Sequence, residues 1–260
     1  MEAAHTYQTV LANRFVAAYA LGSLAHGGYA PAVSDIDLAV ILTDTRAGDA
    51  DTIAETSQGL RERAELHRRL SVFWGSLAAL RHGLDDGRFP AIDRLDLASH
   101  GLLLLGSDVA RQVAIPTAGE LLVDSARFAV DVLATNEVIA EIHRPRRLLD
   151  DPVWFTKAVL FPVRLLYSSA VTMGRAATND HAITWYLAQP DVPATSLVRL
   201  AARVRAGAPL DPAEARPLLV TGLRHLYRRY AEGQARRLQE AGAPADLVAA
   251  FARWSGQLGV

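Results

Sequence analysis

A short segment near the start of the chain constrains its fold most strongly, because a turn of small residues leads into a strand that begins with acids. The segment reads LGSLAHGGYAPAVSDIDLAVI, over residues 21–41. Gly22 allows a tight turn, since glycine adopts backbone angles that other residues resist, and exposed N–H groups beside the Ser23 hydroxyl are suited to bind phosphate. The apolar run at its end predicts a buried strand over 36–42.

Two carboxylates at the head of that strand predict a metal site. Asp35 and Asp37 are two residues apart, and side chains at i and i+2 of a strand lie on the same face. Two like charges so close together need a cation, and Mg²⁺ typically binds through one or two carboxylates plus substrate phosphates. In the alternative interpretation, Gly22-Ser23 is an ordinary turn and the two acids only flank a strand. We favour the metal site, because neighbouring like charges are costly without a partner.

The composition is that of a globular protein with enough apolar material for two modest domains. The chain has 260 residues, half of them apolar, and a formal net charge of −1. Nucleic-acid binding usually requires a basic surface, so this balance favours a small-molecule partner. The absence of cysteine excludes disulfides and thiolate metal sites. With no basic leader and no long apolar run, we expect a soluble, unanchored protein of the cytoplasm.

The ordered combination of small residues and acids resembles a known signature. Gly22-Ser23, Gly27-Gly28 and the SDIDL run at 34–38 are similar to the signature of the polymerase-beta-type nucleotidyltransferase superfamily. Within it, the chain most resembles bacterial aminoglycoside adenylyltransferases of the streptomycin/spectinomycin type. The resemblance implies an α/β N-terminal nucleotidyltransferase domain, a mixed sheet with flanking helices, followed by an all-α C-terminal helical bundle. We expect these domains over 1–116 and 117–260, with the active site in the cleft between them.

The resemblance also implies a reaction. It is the metal-dependent transfer of AMP from ATP to a hydroxyl of a small acceptor such as an aminoglycoside antibiotic, with pyrophosphate leaving, and hence a role in antibiotic resistance. Asp35 and Asp37 would be catalytic and would hold two Mg²⁺ ions. The residues that it implies for nucleotide binding are Gly22, Ser23, Ser34 and Arg164. The expected partners are a nucleotide and a small acceptor, with no membrane or nucleic acid, bound by a monomer or homodimer.

The next strand, expected over 70–74, departs from the family pattern. Superfamily members generally place a third acid there, which completes the metal site or takes a proton from the acceptor. The matching position is Ser71, and a serine hydroxyl is a poor metal ligand and no general base. If the strand began earlier, strict alternation would bring Glu65 or His67 to the site. The following segment holds further acids that could supply a carboxylate after loop movement: Asp85, Asp86, Asp93 and Asp96.

Arg164 is the second-domain residue with the clearest expected role. The segment over 164–168 resembles the "R..YS" segment of the adenylyltransferases, whose arginine faces the nucleotide phosphates. A planar guanidinium suits bidentate phosphate contact, and a structural ion pair is the alternative. The family's second phosphate-binding base, a lysine, has no counterpart at 178–179, and Arg175 could substitute for it.

Acceptor binding is expected before the central helix of the bundle. Asp150 and Asp151 lie about where the family presents acids to the amino groups of the drug. Desolvated ammonium groups need such partners, although the Asp-Asp-Pro run is equally a helix N-terminus. Trp154 and Trp185 could stack against a bound sugar, but large aromatic residues in a helical bundle are more often core residues.

Periodicity predicts the remaining elements. We expect an opening helix over 4–18, a strand over 17–22, a helix over 49–66 and a helical pattern from Asp93 through the GLLLLG run at 101–106. At that run the resemblance implies a helix followed by a short strand. Further helices are expected over 120–142 and 154–174, the second kinked at Pro162. Nine arginines and four acids over 199–240 indicate a solvated helix face, with an RNA contact as the alternative.

Two competing functions remain open at this point. The first is a nucleotide-binding relative whose catalysis has degenerated, since Ser71 replaces the usual acid. The second is a nucleotidyltransferase that acts on protein or tRNA. ATP binding without turnover would favour the degenerate relative, and modification of a macromolecule would favour the second.

Overall fold

Two compact units make up the structure, a computed structural model that describes residues 1–171 and 178–259. The first unit contains residues 1–29 and 34–117. The second contains the short segment 30–33 together with the chain from Ala118 onward. The chain therefore passes between the units three times.

The first unit alternates helices with strands. Its elements are α1 (Glu2–Leu11), β1 (Phe15–Leu21), α2 (Gly22–Ala25), β2 (Ile36–Leu42), α3 (Asp49–Arg63), β3 (Leu70–Ser76), α4 (Leu77–Arg81), α5 (Ala91–His100) and β4 (Leu102–Gly106). Three 3₁₀ segments join them, at Ala12–Arg14, Glu65–Arg69 and Ala110–Gln112.

The described strands form one mixed sheet in the order β3-β2-β1-β4. Strand β1 is antiparallel to both β2 and β4, whereas β2 is parallel to β3. The strands are apolar on both faces because each face is covered, one by α1 and α3 and the other by α4, α5 and the segment after β4. Ala39 and Ile41 pack in the second layer, so Asp37, which alternates with them, lies at the end of the face that α5 covers.

Two local predictions from periodicity for the first unit are wrong, and one conditional alternative does not apply. The opening helix ends at Leu11, and Phe15 and Val16 belong to β1 instead of to a helical stripe. The GLLLLG run forms the strand β4 rather than a helix, since pairing with β1 satisfies its backbone. Residues 65–69 form a 3₁₀ turn, so β3 does not begin early.

The second unit is helical over its described residues. Its elements are α6 (Ala118–Leu133), α7 (Asn136–His143), α8 (Arg147–Asp150), α9 (Pro152–Ala170), α10 (Asn179–Ala188), α11 (Thr195–Arg205), α12 (Pro212–Glu240) and α13 (Ala245–Leu258). Helix α9 is continuous through Pro162. The helix expected over 120–142 is two helices, because the Thr135 hydroxyl accepts a hydrogen bond from Val138 N–H and caps α7.

One apolar core holds these helices together. At its centre, the rings of Tyr227, Tyr230, Phe251 and Trp254 pack with centroids 5.6 to 6.0 Å apart, within the range of favourable aromatic contact. All four residues are buried. No helix in the described part of the chain combines the length and the hydropathy that a membrane crossing would require.

Candidate active site at the head of strand β2

The turn after β1 brings the backbone of Gly22 against a carboxylate. Gly22 has φ +58°, in the left-handed region. A Cβ atom built at this position would lie 2.3 Å from Asp37 Oδ2. The turn therefore requires glycine for two reasons, its backbone angle and the space that the Asp37 side chain occupies.

The structure places the acidic pair at the start of β2, with one acid just before the strand and the other within it. Asp35 immediately precedes β2 and Asp37 is its second residue, and both are half-buried. Asp37 pairs with Leu21, the last residue of β1, across the antiparallel ladder. Ser34 is buried, and the Ser23 carbonyl accepts a hydrogen bond from Gly28 N–H at 3.0 Å, which closes the loop after α2.

Ser71 lies directly beside Asp37. The two residues are in register in the parallel β2-β3 ladder, and in-register neighbours project from the same face of a sheet. A serine therefore stands where the resemblance leads one to expect a third acid.

Asp96, one of several acids that follow β3 in the sequence, lies at the turn in the structure. Gly22 N–H donates a hydrogen bond to Asp96 Oδ2 at 2.6 Å. Asp96 lies on α5 and is only 5% exposed. This bond corrects the expectation that the N–H of Gly22 is exposed in the turn. In the sequence, the only signal for this role of Asp96 is that it precedes His100 by four residues on a predicted helix. That signal is weak.

Asp96 and His100 face each other on α5. His100 Nδ1 lies 3.4 Å from Asp96 Oδ1, one helical turn away. The His100 ring also meets the ring of His26, at the end of α2, edge to face with centroids 5.7 Å apart. The two imidazoles and the carboxylate form a cluster beside the Gly22 turn.

Asp85 and Asp86 have structural roles elsewhere in the unit. Asp85 Oδ1 accepts hydrogen bonds from the N–H groups of Gly87 and Phe89. Asp86 accepts hydrogen bonds from Ser76 N–H and Oγ and from the Thr45 hydroxyl, at 2.6 to 2.9 Å. Burial opposes ionisation of Asp86, but these bonds outweigh it, so its pKa lies below the usual value. Ser76 is five residues beyond Ser71 along β3, about 16 Å away, so Asp86 holds the opposite end of the strand.

Glu65 and His67 do not reach the sheet face of Asp37 through strand alternation, because both lie in the 3₁₀ turn. Glu65 forms an exposed ion pair with Arg68 at 2.7 Å. His67 is buried, with Nε2 3.9 Å from Glu2 Oε2 on α1. The prediction that alternation brings either residue to the site is wrong.

The candidate acceptor-binding residues of the second unit differ in how exposed and how engaged their side chains are. The Asp151 side chain accepts hydrogen bonds from the N–H groups of Val153 and Trp154, at 2.8 and 3.1 Å, which confirms the helix N-terminus interpretation for this residue. Asp150 is exposed, and Trp154 is 49% exposed beneath the Arg147 guanidinium, 5.5 Å from the ring centroid.

The other candidates of the second unit lie on or near α9. The half-buried Arg164 lies over the ring of Phe161, with its guanidinium carbon 5.0 Å from the centroid. Trp185 packs against Tyr167 and the core. Arg175 lies outside the described residues.

Over residues 1–171 and 178–259, no three His, Cys, Asp or Glu side chains are grouped closely enough to hold a metal ion by themselves. A cation at Asp35 and Asp37 would therefore need further ligands besides these two carboxylates.

Comparison with known proteins shows a distant structural similarity, which concerns the fold. No protein-family model and no curated protein sequence matches the chain. Its structure is similar to the crystal structure of spectinomycin adenyltransferase AAD(9) from Enterococcus faecialis with ATP and spectinomycin. The TM-score is 0.56 with 12% sequence identity, over 98% of this chain and 96% of the other. The two proteins share a mixed four-stranded sheet with flanking helices and a helical C-terminal region.

Proposed function

We propose that this protein is a metal-dependent nucleotidyltransferase that transfers AMP from ATP to a hydroxyl of a small acceptor, an aminoglycoside-like antibiotic. The observation that carries the proposal is the Asp37 carboxylate at the head of β2, packed against a glycine whose N–H and φ are both fixed. A nucleotidyltransferase domain over 1–116 and a helical substrate-binding domain over 117–260 complete the proposal.

The donor set fits Mg²⁺. Asp35 and Asp37 supply hard carboxylate oxygens from positions two apart, and a Cβ at position 22 would fill the space beside Asp37 Oδ2. When bound, Mg²⁺ would neutralise the charge of the phosphates that react. Two carboxylates do not fill the coordination shell of Mg²⁺, so oxygens of the substrate phosphates would supply further ligands.

The remaining polar groups of the turn would hold the nucleotide. The Ser23 hydroxyl and Ser34 would line the phosphate side, because Ser23 lies in the turn and Ser34 precedes the acidic pair. Gly22, whose N–H is engaged by Asp96, would contribute by shaping the turn. Arg164 would contribute a bidentate contact to phosphate. Pyrophosphate would leave as the acceptor oxygen bonds to the α-phosphorus.

Asp150 and Trp154 would bind the acceptor. A polycationic sugar needs a carboxylate partner for its ammonium groups, and the exposed Asp150 and the exposed face of Trp154 can provide charge and stacking. Asp151 already caps α9, so we expect its contribution to be smaller than that of Asp150.

Ser71 favours one alternative, a relative that binds ATP without catalysis. The side chain beside Asp37 is a hydroxyl where a carboxylate would serve as the base. Under this alternative Asp35 and Asp37 persist for nucleotide binding alone.

The decisive experiment measures pyrophosphate release from Mg-ATP with spectinomycin, streptomycin and other aminoglycosides, together with mass spectrometry of the drug. We expect acceptor-dependent release, a drug heavier by one AMP, and a loss of about a thousand-fold in Asp37→Asn, the equivalent of several kcal/mol of charge stabilisation. Asp51→Asn, at an exposed position of α3, is the matched control and should keep full activity. ATP binding without release for any drug would instead support the degenerate relative.

A further inference from the structure

The reaction just proposed leaves one requirement unmet by Asp35, Asp37 and Ser71. As the acceptor oxygen forms its bond to the α-phosphorus, its proton must move to a base. The Ser71 hydroxyl, although in register with Asp37, cannot take this proton at neutral pH. A base must therefore come from another element near the Gly22 turn.

Helix α5 is the element that reaches this turn. The Gly22 backbone contacts a carboxylate on each side: Asp96 Oδ2 accepts its N–H at 2.6 Å, and Asp37 Oδ2 occupies the space where a Cβ would be. The two acids thus flank a single residue. This contact brings the C-terminal half of α5 to the head of β2.

Burial separates the roles of Asp96 and His100. The Asp96 side chain is 7% exposed and its Oδ2 is already engaged by Gly22. Its Oδ1 is buried, has no hydrogen-bond partner among the described residues, and lies 3.4 Å from His100 Nδ1. The His100 side chain is 47% exposed. Of the two groups, only the imidazole can be reached by a substrate.

A hydrogen bond between His100 Nδ1 and Asp96 Oδ1, which needs only a small adjustment from the 3.4 Å separation, would fix the tautomer of the imidazole. A carboxylate that faces Nδ1 favours a proton on that nitrogen, which leaves the lone pair of Nε2 to accept another. The titratable groups that the described contacts place against the His100 ring are Asp96 on its own helix and His26 on α2. With that hydrogen bond formed, the pair would have the Asp-His arrangement in which a buried acid orients an exposed imidazole base.

We propose that His100 Nε2 takes the proton of the acceptor hydroxyl and that Asp96 positions His100, so that an Asp-His pair replaces the carboxylate missing at Ser71. The inference rests on the proposed function. In the step, the O–H bond breaks and its proton moves to Nε2. The electron pair left on the oxygen forms the O–P bond, and the bond from the α-phosphorus to pyrophosphate breaks, with its electrons leaving on pyrophosphate.

The first test is His100→Ala, with His181→Ala, an exposed histidine of α10, as the matched control. We expect kcat with spectinomycin or streptomycin to fall about 100-fold or more, with KM for ATP changed by less than about threefold. Added imidazole should restore part of the rate, because a free base can enter the space left by the ring. The acidic limb of the wild-type pH–kcat profile should disappear in the variant.

Asp96→Asn tests the positioning role. Asparagine can still accept the Gly22 N–H through its carbonyl oxygen, but it loses the charge that orients the imidazole. We expect a fall of about tenfold or more in kcat, no rescue by imidazole, and a wild-type melting temperature within a few degrees.

The second test restores a carboxylate at the position in register with Asp37. In the His100→Ala background, Ser71→Glu should raise kcat at least tenfold, because a base is again present on that face of the sheet. Ser71→Gln in the same background introduces a side chain of the same size as glutamate without its charge, and it should not raise kcat.

Specific outcomes overturn the proposal. Wild-type kcat in His100→Ala, or a loss that neither imidazole nor Ser71→Glu relieves, would assign His100 a structural role. If the wild-type protein itself transfers AMP to none of the drugs, and behaves like Asp37→Asn, the proposed function fails and this inference fails with it. Activity lost in Asp37→Asn but kept in His100→Ala separates the two, since only the inference is then wrong.

Discussion

At the scale of single residues, the site depends on the absence of one side chain. Gly22 combines a positive φ, an engaged N–H and the close approach of Asp37 Oδ2. No other residue type meets all three conditions without moving the carboxylate.

We therefore expect Gly22→Ala to lower activity at least tenfold and to destabilise the protein by about 1–3 kcal/mol, the usual cost of strained backbone at a functional site. The matched control is Gly28→Ala, because a Cβ there meets nothing within 4 Å. AMP transfer and thermal unfolding, measured side by side, check both variants. Equal effects of the two substitutions would contradict the importance of the Gly22-Asp37 contact.

The Gly22 turn and the acids at the head of β2 could be predicted from the sequence, but the contribution of α5 could not. Asp37 could be placed at the head of β2 from the apolar pattern that follows it, and Ser71 was matched to the third-acid position through the family resemblance. Asp96 is 74 residues from Gly22 in the sequence, and only the packing of α5 on the sheet brings the two together. Before that packing is known, only the weak signal of a histidine four residues later distinguishes Asp96 from Asp93 or Asp86.

At the scale of secondary-structure elements, a buried ion pair fixes the start of α3. Arg14, which follows α1, donates two hydrogen bonds to Asp49, from Nη1 and Nη2, both at 2.7 Å. Asp49, the first residue of α3, also accepts the N–H of Arg46 at 2.7 Å. Its side chain is 4% exposed. The bidentate geometry joins two elements that are 35 residues apart.

This pair predicts a pH dependence of stability. The hydrogen bonds from Arg14 hold the pKa of Asp49 below its usual value, with burial as a smaller opposing effect. A lowered folded-state pKa stabilises the protein above the unfolded-state value of about 3.9, and this contribution is lost as the pH falls through the folded-state pKa. We expect Asp49→Asn to cost roughly 2 kcal/mol at pH 7 and to remove that part of the acid sensitivity.

Urea unfolding at pH 7, 5 and 3.5 measures the effect. Asp51→Asn, an exposed position in the first turn of α3, should change the free energy of unfolding by less than about 0.5 kcal/mol. A constant difference between Asp49→Asn and wild type at all three values would show that the Asp49 charge has no linkage to folding.

Element types were more predictable than element ends. The strands at 36–42 and 70–76 and most of the helices follow from their hydrophobic patterns. The opening helix was predicted too long because Phe15 and Val16 continue a helical spacing while they pair in β1. The four leucines of β4 have no period, so only their pairing with β1 identifies them as a strand.

At the scale of the whole molecule, buried tyrosines occur in the cores of both units. Burial raises the pKa of five of the seven tyrosines, and that of Tyr186 to about 12. They are Tyr7, Tyr19, Tyr186, Tyr227 and Tyr230. A folded-state pKa raised above the unfolded value of about 10 stabilises the protein below that pH. Stability is therefore lost as the pH rises past about 10.

We expect alkaline titration to show these five phenols ionising together with unfolding. Tyrosinate absorbance at 295 nm and helical circular dichroism should change in one steep transition. Tyr230→Phe should reduce the alkaline loss of stability at little cost at pH 7, because its buried hydroxyl has no hydrogen-bond partner among the described residues. Gradual ionisation of all seven near pH 10 with the helices intact would contradict the prediction.

The β4 strand has a consequence for handling the protein in solution. It lies at an edge of the described sheet, and Leu102 and Leu103 are 55% and 37% exposed. An unpaired strand edge that carries exposed leucines is a template on which a second molecule can add its own strand. The net charge of −1 provides little mutual repulsion. We therefore expect a lysine at either position to reduce self-association of the protein at high concentration.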